Sequence, residues 1–79
     1  MSNLPYTYTI KPSRKPKAIH DVILEDHVKY FGEQGSKWAM WRDGRKIVLV
    51  FANLEDQRKS EVRSHLSQYI WKRSEQGWL

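Results

Sequence analysis

The sequence predicts a small α+β domain of order β-α-β-β-α, a three-stranded sheet with two helices packed on one face. Three features carry that expectation: the alternating run YTYTI near the start, an Asp-Gly pair between two strand-like runs, and helical segments on either side of that hairpin. At 79 residues the chain reads as a single domain, residues 1–79, whose thin core has room for one layer of helices against one sheet.

Tyr6 to Ile10 alternates aromatic and β-branched residues, which predicts a short strand with Tyr6, Tyr8 and Ile10 on one face. Residues 11–17, KPSRKPK, follow with two prolines and four cations. Proline fixes φ and disfavours helix just before it, so this stretch is expected to be an extended basic loop. In AIHDVILEDHVKYFG, apolar residues at 19, 22, 23, 30 and 31 fit one helical stripe, with Gly32 and Gly35 as stop signals. His20 and His27, seven residues apart beside Asp21 and Glu25, are expected on a solvated face of that helix.

Residues 37–51 form the central β-hairpin. Asp43-Gly44 as the middle pair of a type I′ turn sets Arg42 opposite Arg45, Trp41 opposite Lys46, Met40 opposite Ile47, Ala39 opposite Val48 and Trp38 opposite Leu49. The face bearing Trp38, Met40, Ile47, Leu49 and Phe51 is the bulkier, so it should meet the helices and make Trp38 core. The other face keeps Trp41 and tyrosine-bearing neighbours beside Lys37 and Lys46, with Val48 and Val50 between. Opposed Arg42 and Arg45 would repel across the strands, a cost that an anionic partner at the hairpin tip would offset.

Asn53 suits the N-cap of the last helix, and Glu55 and Asp56 suit its first turn. Its apolar stripe reads Val62, Leu66, Tyr69 and Ile70, and Gly77 is a stop signal. Trp71 falls on the opposite side, among Ser60, Ser64 and Ser67. A tryptophan there reads as a protein-docking anchor or as a ring covered by the chain's tail, where Trp78 lies.

Net charge is +5, unevenly spread. Lys11, Arg14, Lys15 and Lys17 stand without an acid in the N-terminal arm, and Lys37, Arg42, Arg45 and Lys46 face only Asp43 in the hairpin. Residues 18–36 are acidic on balance, through Asp21, Glu25, Asp26 and Glu33 against Lys29. Such segregation suits an anionic partner, nucleic acid first and an acidic protein surface second. The expected function is a small non-enzymatic module that contacts nucleic acid, single strands favoured. Lys11, Arg14, Lys15, Lys17, Lys37, Arg42, Arg45 and Lys46 would hold phosphates while Trp41 stacks on a base. The alternative is a protein-binding inhibitor or adaptor of the accessory kind that phages and mobile elements carry. Its basic hairpin would fill an acidic groove, with Trp71 or Trp78 as anchor. Either form would be a monomer or a homodimer joined at the two sheet edges.

The chain has no cysteine, HExxH, GxGxxG or P-loop, so neither metal, cofactor nor enzymatic activity is expected. No apolar run approaches the ~20 residues of a membrane span, and the N-terminus lacks a signal-peptide segment. A cytoplasmic protein without membrane contact is the expectation.

EDQRKSEVRSHLSQYIWKRSEQGWL, closing a β-α-β-β-α order, resembles the final helix of the DinI-like modulators of recombination filaments. Those helices are acidic and this one is mixed and basic, so the DNA mimicry that the resemblance implies does not carry over. GSKWAMWRDGRKIVLV followed by SEVRSHL resembles HicA-type RNA-cleaving toxins. Lys37 stands where their catalytic histidine lies, so the resemblance implies the fold without the cleavage.

Overall fold

The computed structural model describes residues 4–75. β1 (Tyr6–Ile10), α1 (Pro16–Phe31), β2 (Trp38–Asp43), β3 (Lys46–Phe51) and α2 (Leu54–Glu75) follow the expected order. β3 is central and pairs antiparallel with both neighbours, so β1 and β2 run parallel to each other at the two edges. α1 lies over β2 and β3, and α2 over β1 and β3, on one side of the sheet.

The hairpin turn differs from the expected one. Asp43 pairs with Lys46, leaving Gly44 and Arg45 as the loop. Gly44 has φ 64° and Arg45 has no positive φ, the pattern of a II′ turn with glycine at its first central position. Arg42 therefore opposes Ile47, and the like-charge pair with Arg45 does not form. The register is displaced by two residues, which equals the strand period, so Trp38 to Arg42 and Lys46 to Phe51 keep their predicted faces, while Arg45 passes into the loop. Trp38 now meets Phe51, Met40 meets Leu49, and Trp41 meets Val48.

Pro16 and Lys17 belong to α1 rather than to the basic loop, which shortens that loop to residues 11–15. A first-turn proline gives up no helical hydrogen bond. Lys15 just before it takes the left-handed conformation (φ 52°, ψ 54°) and its carbonyl accepts the Ile19 N–H at 3.0 Å. Gly32, at φ 90°, ends the helix and donates its N–H to the Val28 carbonyl at 3.0 Å.

The core comprises Ile19, Ile23, Trp38, Met40, Ile47, Leu49 and Phe51. Trp38 is core as expected, and its indole N–H donates to the Gly32 carbonyl at 3.0 Å. His27 corrects the sequence reading: it is fully buried, one helical turn beyond Ile23 and two beyond Ile19. Its ring lies 5.4 Å from that of Phe31 and 5.6 Å from that of Trp38. Tyr30, assigned to the same apolar stripe, is exposed and stacks on the Arg63 guanidinium, 4.1 Å away.

The largest correction concerns α2. Ser60, Ser64 and Ser67 are buried, while Val62, Leu66, Tyr69 and Ile70 are exposed. The serine side turns inward because it faces the polar atoms of Tyr8 and His27, which need hydrogen-bond partners once enclosed. Serine is also small enough to let α2 lie close to them. As expected, Asn53 caps the helix: its side-chain oxygen accepts the Asp56 N–H at 2.8 Å.

Candidate nucleic-acid interface

With both helices on one side, no described element covers the other face of the sheet. The β1 register turns Tyr6 and Tyr8 towards the helices with Phe51 and Leu49, so the expected tyrosine neighbours of Trp41 are instead Thr7 and Thr9. Cross-strand rows on this open face read Thr7, Val50, Ala39, then Thr9, Val48, Trp41. The next row pairs Lys46 with Asp43. Trp41 is 47 % exposed. Same-face positions on a strand lie about 6.6 Å apart, so Lys46 is one row from the indole and Lys37 is about 13 Å away at the far end of β2.

Folding joins the two basic stretches of the sequence at one end of the sheet. Ile10 pairs with Ile47, so Lys11 leaves β1 beside Lys46. Across the gap, the Arg45 guanidinium donates to the Ser13 carbonyl at 3.3 Å, tying the hairpin tip to the arm. Arg42 lies in β2, next to that tip. Lys11, Arg42, Arg45 and Lys46 are exposed and make no ion pair among the described residues.

Arg14 and Lys15 are differently placed. Both contact the Glu75 carboxylate, at 2.7 and 2.8 Å, so one acid on the last turn of α2 holds two of the arm's cations. These contacts, the Lys15 hydrogen bond foremost, hold the Glu75 carboxyl below its usual range. Lys17 is exposed in the first turn of α1, and Lys37 stands apart at the opposite end of the open face. Lys11, Arg45 and Lys46 thus gather at the end of the sheet one row beyond Trp41; Arg42 is at the same end but, opposite Ile47, belongs to the helix-side face, and Lys17 and Lys37 lie outside this region.

Trp71 is half-buried and packs against the core, with the Lys15 ammonium 5.8 Å from its ring centre. Its remaining accessible part borders an open groove between α1 and α2 that Val22, Asp26 and Ile70 also line. Trp78 lies outside the described residues.

A second constellation, which sequence reasoning missed, lies inside the protein. His27 Nδ1 lies 3.0 Å from the Ile23 carbonyl and 3.7 Å from an Asp26 carboxylate oxygen, while Nε2 is 2.6 Å from Ser60 Oγ. The Tyr8 hydroxyl contacts Ser60 at 2.5 Å and Ser64 at 2.8 Å. With Nδ1–H donating to Ile23, Nε2 accepts the Ser60 proton. The order of acid, histidine and serine is that of a nucleophilic triad, but Ser60 has no accessible surface and no substrate reaches it. Its chemistry is structural: among the described residues no buried side-chain polar atom lacks a partner. The repeat of serines at 60, 64 and 67 was the available signal in the sequence.

Arg63 adds a two-point contact with Asp26 at 3.0 and 2.8 Å, joining α2 to α1. Among the described residues no group of three or more His, Asp or Glu side chains is arranged to hold a metal ion, and no helix is long and apolar enough to cross a membrane. No protein-family model matches this chain, and neither a curated protein nor a solved structure shows significant similarity to it.

Proposed function

We propose that this protein is a non-enzymatic binding module for nucleic acid, with a preference for single strands. The open sheet face is the platform, and the end bearing Lys11, Arg42, Arg45 and Lys46 holds the phosphates. The observation that carries this reading is the half-exposed Trp41 ring on an uncovered sheet face, one row from Lys46. An unpaired base offers a π face to such a ring, whereas bases inside a duplex are already stacked. The neighbouring cations release counterions from the backbone and contribute affinity with little sequence preference. Arg45 is held at the arm by Ser13, which makes the cationic end a preformed surface rather than two independent loops.

The test is fluorescence anisotropy with labelled single-stranded RNA, single-stranded DNA and duplex DNA at about 50 and about 200 mM salt. Binding is expected to fall steeply with salt. Trp41→Ala is expected to cost about 1–3 kcal/mol on single strands and almost nothing on duplex. The triple charge reversal Arg42→Glu, Arg45→Glu, Lys46→Glu is expected to abolish binding with the circular dichroism spectrum unchanged. Absence of binding to all three probes at low salt overturns the proposal.

A further inference from the structure

We infer that α2 is a self-association surface, pairing antiparallel with α2 of a second copy of this chain. Among the described residues eight large hydrophobic side chains are exposed, and five of them lie on α2: Leu54, Val62, Leu66, Tyr69 and Ile70. Val62 is 70 % exposed, the most of any of them. The burial of Ser60, Ser64 and Ser67 determines which side this is, because the helix has its polar stripe inward and an apolar stripe in water.

The outward row runs Glu55, Lys59, Val62, Leu66, Tyr69 and Arg73, with steps of four and three residues in strict alternation. That is the seam spacing of paired helices. The row is also complementary to its own inversion. Turned end for end about position 64, it sets Glu55 against Arg73, Lys59 against Tyr69, and Val62 against Leu66. The centre becomes an apolar contact, the next layers a cation over an aromatic ring, and the ends an ion pair. A parallel arrangement sets Glu55 against Glu55 and Arg73 against Arg73. The antiparallel one is therefore favoured by charge, and it is the two-fold self-complementary contact that homodimers use. Within one chain, Glu55 contacts Lys59 at 3.1 Å and Arg73 donates to the Tyr69 hydroxyl at 3.3 Å, so the dimer exchanges contacts that these side chains already make, which limits its strength.

This surface is independent of the proposed nucleic-acid platform, since α2 and Trp41 lie on opposite sides of the sheet. A dimer through α2 leaves both Trp41 faces outward and uncovered. One helix of 22 residues is about 33 Å long, and a single two-helix seam falls at or below the ~1,200 Å² of stable interfaces. Arg58 and Lys72 flank the seam with like charge. Association is accordingly weak and concentration-dependent.

Sedimentation velocity of the full chain from about 1 to about 200 µM tests the inference, with dimer expected to accumulate across that range. Leu66→Glu is expected to leave monomer throughout. Glu55→Arg is expected to weaken association at least about tenfold, equivalent to ~1.4 kcal/mol, and the double variant Glu55→Arg/Arg73→Glu to restore it. Trp41→Ala is expected to leave it unchanged. Circular dichroism of each variant establishes that it is folded. A wild-type chain that stays monomeric at the highest concentration overturns the inference, as does a dimer that survives Leu66→Glu, which would lie at the sheet edges instead. Failure of the folded charge-swapped variant to re-associate overturns the antiparallel register.

Discussion

His27 and Ser60, one from each helix, are joined inside the protein by a 2.6 Å hydrogen bond between Nε2 and Oγ, and neither side chain has accessible surface. The Tyr8 hydroxyl meets the same serine, so one side chain connects β1, α1 and α2. Removing a partner from an enclosed polar group costs more than the bond itself contributes, because the remaining group stays buried without one. Ser60→Ala is expected to destabilise the fold by about 1–3 kcal/mol, read from urea denaturation, with Ser64→Ala nearer the lower end because only Tyr8 loses a contact. Equal, negligible effects of both would contradict the network.

Burial holds the His27 imidazole below its ordinary pKa of 6.5; the Asp26 carboxylate opposes that shift and the Arg63 guanidinium adds to it. A depressed folded-state pKa means that the unfolded chain binds the proton first. Stability is therefore complete above about pH 6.5 and is lost as pH falls through the folded-state value, with a slope no steeper than about 1.4 kcal/mol per pH unit. Urea midpoints at about pH 7.5 and about pH 5 measure this, and a titration of the His27 ring by NMR assigns it. Tyr8 works in the opposite direction. Its burial raises the phenol above 10.0, so its contribution is present below that pH and lost above it.

Gly44 has φ 64° and open space where a Cβ would point. Gly44→Ala therefore tests backbone conformation alone, with an expected cost of about 1 kcal/mol in thermal unfolding. An unchanged melting temperature would mean that the turn is not of the glycine-first kind.

Glu75 holds both Arg14 and Lys15. If the cationic end binds phosphates, Glu75→Gln releases two cations next to it. Nucleic-acid affinity should rise and its dependence on salt should steepen, by up to about 1.8 in the log–log slope on duplex DNA. A fall in affinity would mean that the arm needs Glu75 to hold its shape.

Much of the architecture was legible in local pattern. Alternation in YTYTI, the Asp-Gly signal and the Asn53 cap each depend on neighbours within a few residues, and each element formed where those signals lay. The two-residue error in hairpin register left the faces intact because strand periodicity is two. The inward turn of the serine face was not legible, since hydrophobic periodicity alone assigns the apolar stripe to the core. Nor was the split within the basic arm, where Arg14 and Lys15 meet a carboxylate about 60 residues away in sequence.

By itself the sequence determined the order of elements, the two faces of the hairpin and the core position of Trp38, because these follow from dihedral preferences and short-range alternation. Tertiary structure alone decided which side of α2 is buried. Once Tyr8 and His27 are enclosed, their polar atoms require partners, and the serine hydroxyls supply them. The same requirement leaves Val62, Leu66 and Tyr69 in water. The convergence of Lys11 with Arg45 and Lys46 was likewise a tertiary outcome, for it follows from β1 pairing beside β3, a contact between distant parts of the chain.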